Sequence, residues 1–195
     1  MIKPVELSKA YRLLNHGPTI LVSSSFNGKQ NIMAAAWNMP LDFDPPKICV
    51  VIDKNTYTRE LIEASGSFAI NVPCVAQANL VTKLGASSGR ELQGTDKFAE
   101  NQLETFAAHH IAAPLLTGCV AWLECKIIPE PHNQNTYDLF IAEVVAAYAD
   151  ERVFSDGRWH FEGHDQKTLD ELRTIHHVAG GAYFTAGKII QTNQP

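Results

Sequence analysis

Asn27-Gly28 constrains this chain more than any other dipeptide in it. Both positions of a two-residue hairpin turn need positive φ, which Asn and Gly reach at the least steric cost. A β-forming run, Thr19-Ile20-Leu21-Val22-Ser23-Ser24-Ser25-Phe26, precedes the pair, and a second run from Gln30 to Trp37 follows it. An antiparallel hairpin is therefore expected.

The remaining segments extend that pattern. Leu7, Ala10, Tyr11 and Leu14 recur at helical spacing, predicting a short amphipathic helix over residues 5–14, broken by Asn15-His16-Gly17-Pro18. After a loop holding Asp42, Asp44, Pro45 and Pro46, the run Ile48-Cys49-Val50-Val51-Ile52 reads as a fully buried strand. A helix is predicted over 58–65 with Thr58 as N-cap, then a strand over 68–72 stopped by Pro73. Residues 75–84 turn helical, and 85–97 form a polar loop. Residues 119–128 and 137–148 read as a long antiparallel pair joined across 129–136. The tail, from about 165 to 195, adds a helix around 169–175 and a Gly-rich stretch at Gly180-Gly181. Before it lies a short strand ending in the Asp156-Gly157 turn. Regular β–α alternation is absent, so the expected fold is mainly β with inserted helices, a decorated β-barrel, as one domain over 1–195. No G-x-G-x-x-G follows a strand, which removes a Rossmann dinucleotide site.

At 195 residues the chain can bury a full core without disulfides or a structural metal. A net charge of −5 argues against a nucleic-acid partner, which requires a basic face. No apolar run approaches the roughly 20 residues of a membrane span, and the first residues carry no secretory signal. The four cysteines (Cys49, Cys74, Cys119, Cys125) form no C-x-x-C pair and read as buried thiols in a reducing, cytoplasmic setting.

Several constellations carry chemical options. Gly85-Ala86-Ser87-Ser88-Gly89 matches G-x-S-x-G, but a nucleophile elbow needs a strand before the serine and a helix after it. Here helix precedes and polar loop follows, so a hydrolase is not expected. The same loop, with Arg90 and Lys97 nearby, suits an anion cradle, and equally a solvated surface loop. Ala34-Ala35-Ala36 is unusual in a strand. Small side chains let a planar ligand approach the main chain, or let a helix pack tightly. His160 and His164 lack a helix to align them, and adjacent pairs such as His109-His110 point apart, so no metal site is expected. No catalytic acid–base set stands out.

Taken in order, several short motifs resemble the flavin reductase-like, FMN-binding split-barrel family, which includes flavoredoxin. They are Gly17-Pro18, Gly28 through Asn31 to Trp37, Pro45-Pro46, Tyr57-Thr58 and Phe68-Ala69-Ile70-Asn71-Val72-Pro73. Ser88-Gly89-Arg90, Asp96-Lys97-Phe98, Glu143-Val144 and Gly181-Ala182-Tyr183-Phe184 complete the series. The resemblance implies an FMN-binding split β-barrel in which hydride passes from NADH or NADPH, a transient substrate, to flavin. It implies that FMN lies along Asn31, Met33, Ala34, Ala35, Ala36 and Trp37. Asp53, Lys54 and Thr58 then sit at the phosphate, and Ser87, Ser88, Gly89 and Lys97 close over it. Family members often carry Ser or Thr near Ala35, so one flavin hydrogen bond is expected to be missing. A homodimer is implied, with Tyr183 and Phe184 covered, as is a partner monooxygenase or other electron acceptor. A second reading is a flavoredoxin-like carrier that holds FMN tightly and is reduced by a partner protein.

Overall fold

The computed structural model describes residues 2–13 and 17–192. Asn27 and Gly28 adopt φ of 49° and 75°, and they close the expected hairpin between β2 (Ile20–Phe26) and β3 (Lys29–Ala35), with Phe26 opposite Lys29. Around it the chain adds β1 (Ile2–Pro4), β4 (Asn38–Phe43), β5 (Pro46–Val51) and β6 (Ser67–Val72). Two minimal strands, β7 (Thr105–Phe106) and β8 (Leu115–Leu116), pair with each other ahead of β9 (Ala121–Ile128) and β10 (Leu139–Asp150). The strands β11 (Phe154–Ser155) and β12 (Arg158–Trp159) flank the Asp156-Gly157 turn, and β13 (Ile175–Ala179) pairs with β14 (Ala182–Thr185).

Among the described residues the main sheet runs β3-β2-β6-β9-β10-β5-β4, with every pair antiparallel. The twelve residues of β10 serve three partners. One edge bonds β9 from Ile141 to Ala149; the other bonds β5 over Leu139–Glu143, then β1 over Tyr148–Asp150. A register shift between Val144 and Ala146 marks the change, because an extra residue bends a strand and tightens its twist. The sheet thus divides along one long strand.

Side-chain alternation sends apolar residues of β2, β6 and β9 to both faces of the sheet. Ile20, Val22, Phe68, Ile70, Leu123 and Cys125 enter one core with Phe140. Leu21, Ala69 and Trp122 point the other way, into a second core closed by Val81, Leu84, Phe98 and Leu116. Both faces of these strands are therefore dry.

Five α-helices complete the described chain: α1 (Tyr57–Ser65), α2 (Ala78–Gly85), α3 (Lys97–Glu100), α4 (Pro131–Tyr137) and α5 (Gln166–Glu171). The sequence expectations need correcting at several ends. Residues 7–13 form a 3-10 helix, and Leu14, Asn15 and His16 lie outside the described residues. The expected 42–46 loop is cut by β4, where Pro40 and outward-facing apolar residues hide the strand signal. Thr56, not Thr58, caps α1, its hydroxyl accepting from the Arg59 amide. The connection expected at 129–136 holds α4, with Pro131 in its first turn and Asp138 at φ 56° as its left-handed cap. The helix expected at 169–175 lies earlier, at 166–171, because Ile175 is taken into β13.

The second core is roofed by irregular chain, and buried polar groups hold that roof. The Asn71 side chain donates to the Leu21 carbonyl and accepts the Leu116 amide, while Ser23 donates to the Pro114 carbonyl. Fully buried Glu124 accepts the backbone amides of His109 at 2.9 Å and His110 at 2.6 Å, together with the Tyr148 hydroxyl at 3.2 Å. Burial, then the Glu124 charge, pushes the Tyr148 phenol up to about 12. Removing the Glu124 carboxylate breaks two charge-assisted, part-buried bonds to the His109 and His110 amides. Glu124→Ala is therefore expected to lose about 3 kcal/mol or more in urea unfolding, whereas the exposed Glu143→Ala changes stability by less than about 0.5 kcal/mol. Equal unfolding midpoints for the two variants would contradict this assignment.

Candidate functional site

A groove follows β3. Its central chamber, about 220 Å³, is walled by Asn31, Met33 and Ala34 of β3, by 55–58 at the start of α1, and by Leu84, Gly85, Ser87, Ser88, Gly89 and Lys97. An adjoining chamber of about 440 Å³ shares Ala34 and Gly85 with it and adds Thr19, Ala35, Ala36, Val81, Thr82, His177, Gly180 and Tyr183. On the opposite side a cleft of about 490 Å³ shares Tyr57 and Gly89 with the central chamber. Shared wall residues set the three side by side along β3.

The walls have local causes. The alanines of β3 leave Met33, Ala34 and Ala36 only partly covered, and α2 packs against β3 so closely that a Cβ on Gly85 would lie 3.4 Å from that of Ala34. Of the two sequence options for the alanines, close packing of a helix is seen at Ala34. The small residues admit a helix, and they leave open main chain beside it. At α1 the first-turn amides lack intrahelical acceptors, so this nine-residue helix presents N–H groups at the chamber wall. Arg59 fixes that helix, donating to Glu63, Asp138 and the carbonyls of Ile52 and Gln134.

Two buried groups in the central chamber carry unused capacity. Asn31 is 2% exposed; its amide nitrogen donates to the Thr58 hydroxyl at 2.8 Å, and its Oδ1 has no protein partner. Lys97 is equally buried and donates to the Leu84 carbonyl at 2.7 Å, at the C-terminal end of α2. An ammonium has three donors, so this bond leaves two for other acceptors. Burial holds the Lys97 ammonium below the usual lysine range, opposed by the Glu91 charge. Gly89 is required against Asn31, since a Cβ there would sit 2.1 Å from Asn31 Oδ1.

The structure brings together Asn31, Met33, Ala34, Thr58, Ser87, Ser88, Gly89 and Lys97 in the central chamber, and Ala35 and Ala36 in the adjoining one. Trp37 lies beyond the end of β3 and is 74% exposed, bordering none of the three chambers. Asp53 and Lys54 also stay out of the walls. Asp53 instead organises the turn into α1, accepting the Asn55 amide with its side chain and the Thr56 hydroxyl with its carbonyl. Arg90 turns away from the serine loop, pairing with Glu60 and lying over Tyr57. Sequence reasoning missed Asn55, Thr56 and Thr82, which carry no motif. It gave no role to His177, and none beyond dimer contact to Tyr183, although the β13–β14 hairpin brings both to the groove. There the Tyr183 hydroxyl meets Thr82 Oγ1 at 3.0 Å, and the two rings lie 5.7 Å apart. Gly85 closes α2, so Ser87 follows a helix rather than a strand and is not held in a nucleophile elbow. All four cysteines are buried and free, and among the described residues no His/Cys/Asp/Glu group is arranged for a metal. No described helix is long and apolar enough to cross a membrane.

Residues 11–168 match the family model described as flavin reductase like domain. An uncharacterized protein of Escherichia coli K12, YddH, is 44% identical over 188 residues, covering 95% of each chain. The solved FMN-binding domain of a flavin reductases-like enzyme from Shewanella baltica OS155 is 48% identical. It superposes with a TM-score of 0.92, covering 99% of this chain and 98% of its own. Flavoredoxin of Desulfovibrio vulgaris (Miyazaki F) is 26% identical, with a TM-score of 0.74 and 90% coverage of both chains. A split-barrel structure from Shewanella frigidimarina NCIMB 400, at 18% identity and a TM-score of 0.74, covers 98% and 94% and shows the same fold.

Proposed function

Since the chain belongs to the flavin reductase-like family and has its split-barrel fold, we propose that it binds FMN and acts as an NAD(P)H-dependent flavin reductase. FMN, when bound, supplies the hydride and electron chemistry, which side chains lack. One observation carries the reading: a wall of open main chain along the β3 alanines runs into a chamber holding a buried lysine and an orphaned amide oxygen.

The residues suit each part of that cofactor. The chamber beside Ala34, Ala35 and Ala36 is apolar and low-walled, as a planar ring requires, and Tyr183 and His177 border its far side. Asn31 Oδ1 is an acceptor for a hydroxyl of the ribityl chain. Ser87, Ser88, Thr56 and the first amides of α1 converge on the chamber from two sides as phosphate donors, with Lys97 as the charge. Lys54 belongs to this proposal only as an outlying cation. The protein's part in the reaction is orientation: it holds one ring against β3 and leaves the groove open for the nicotinamide to stack in turn. A flavoredoxin-like carrier is the second reading, favoured by the likeness to flavoredoxin at 26% identity. Anaerobic mixing of FMN-loaded protein with NADH and NADPH separates the two. Bleaching of the flavin absorbance within seconds is expected, and no bleaching by either nucleotide would favour the carrier. A monooxygenase or other acceptor would then receive the reduced flavin or its electrons.

In place of the contact at Tyr183 and Phe184 expected from the sequence, we propose that the homodimer forms through β4. Met39, Leu41 and Phe43 alternate outward along this edge strand, and Trp37 precedes them; their exposures run from 46% to 74%. A second copy is the occupant that would cover this stripe and flank the groove end at Ala36. Sedimentation equilibrium should give twice 21.5 kDa, and Leu41→Glu with Phe43→Glu should return the monomer. A wild-type monomer at all accessible concentrations would remove the assignment.

Lys97 yields a sharper expectation. A charge-assisted bond to phosphate is worth about 1.5–3 kcal/mol, or roughly 10- to 150-fold in affinity. Fluorescence titration should show FMN preferred over riboflavin, with Lys97→Met losing most of that preference and Lys54→Met little of it. The pH dependence has a definite sign. Free Lys97 loses its proton at a lower pH than an ordinary lysine, and phosphate requires the ammonium. FMN affinity should therefore fall as pH rises toward the lysine range, and Lys97→Met should flatten that fall. A preference that survives Lys97→Met would move the anchor elsewhere.

A further inference from the structure

A separate pocket of about 830 Å³ lies between the tip of the β2–β3 hairpin, the C-terminal end of α1, the 109–112 loop and β9. It shares no wall residue with either chamber assigned to FMN. We propose that this pocket binds a small aromatic carboxylate, independently of the flavin. Its volume falls within the range of small-molecule sites. The walls are already built. The Ile127 amide donates to the Gly66 carbonyl at 2.9 Å, joining the end of α1 to β9, and Gly66 caps that helix in the left-handed region. Glu124 holds the backbone of His109 and His110, so a ligand meets a loop that needs little further ordering.

The lining has an apolar part and a basic part. Phe26, at the end of β2, is 38% exposed, and the half-buried Ile111 and Ile127 also border the pocket. A second flat ring gains by covering an exposed ring beside two aliphatic side chains. Lys126, His109 and His110 are exposed and supply donors. The ammonium has three, and each imidazole has at least one whatever its tautomer. The His109 ring also rests beside Tyr148, with 6.0 Å between ring centroids. Among the described residues that line the pocket, none carries a carboxylate. Glu143 stands across from Lys126 on β10 but does not border the pocket, and the Glu124 oxygens are engaged by the two loop amides. A chain with a net charge of −5 thus presents one basic wall without an acidic residue in it, which favours an anion there. The exposed ring selects an aromatic one.

The test is a titration of the isotope-labelled full chain, with and without FMN, by amide NMR and calorimetry. The probes are benzoate, benzyl alcohol and acetate. Benzoate is expected to saturate at millimolar concentration and to move the amides of residues 26–28, 66–67 and 110–112. Benzyl alcohol lacks the charge and acetate lacks the ring, so each should bind about fivefold more weakly or worse. Lys126→Met, an exposed position where the fold is not at stake, should weaken benzoate about fivefold, and Phe26→Ala should weaken it by a similar factor. Neither variant should change FMN affinity, because neither residue borders the FMN chambers. Equal binding of acetate and benzoate would reduce the site to diffuse attraction by surface charge and overturn the proposal. Saturable shifts confined to the β3 groove, or none at the pocket amides, would overturn it as well.

Discussion

The structure depends on burying both faces of β2, β6 and β9. A sheet in a chain of this size normally keeps one face wet, and drying the second demands cover from segments with no regular hydrogen bonding. Here that cover is the stretch from Leu103 to Cys119, whose amides and carbonyls are met by Glu124, Asn71, Ser23 and the Trp122 indole. Ser23, Asn71 and Glu124 are buried in the sheet and hold the roof. The stabilisation comes from Leu21, Ala69, Trp122 and their neighbours, and the polar groups prevent that burial from costing unsatisfied backbone.

The groove follows from the same arrangement. Helix α2 belongs to the second core through Val81 and Leu84, and it can approach β3 because the small Ala34 faces it. Its C-terminal carbonyl at Leu84 then fixes Lys97, which brings the loop from Ser87 to Asp96 over the strand. On the other side Arg59 ties α1 to the turn after α4 and stacks on Phe140, so both lips of the groove are anchored in the barrel. The site is a by-product of how the barrel is sealed, with small side chains where the seal is thinnest.

Much of this was legible in the residues. Asn27-Gly28 fixed the first hairpin, and the apolar run over 48–52 marked the buried strand β5. The alanines of β3 and the serine loop were recognisable as a low wall and a donor loop, though each had a duller explanation until they met in space. Other features depended on contacts no local pattern reveals. Pro131-His132-Asn133-Gln134-Asn135-Thr136 has poor helix propensity, and α4 exists because Arg59 and Asp138 hold its end. Thr58 resembled a cap, but its side chain is fully buried against Asn31, and Thr56 does the capping. Lys54 and Lys97 were both legible as candidate cations, but their placement was not: Lys97 is buried in the chamber wall and Lys54 lies outside it.

Strand β4 has a consequence for how copies of this chain can associate. An edge strand rich in apolar residues is ordinarily a template on which further strands add without limit. Pro40 sits in the middle of β4 and has no N–H, and the ladder with β5 slips between Pro40 and Asp42. Since a strand proline is tolerated where its nitrogen faces outward, the missing donor falls on the open edge. The strand therefore presents sticky side chains on a backbone that cannot be copied. Growth of the sheet by strand addition at this edge is blocked at a single residue.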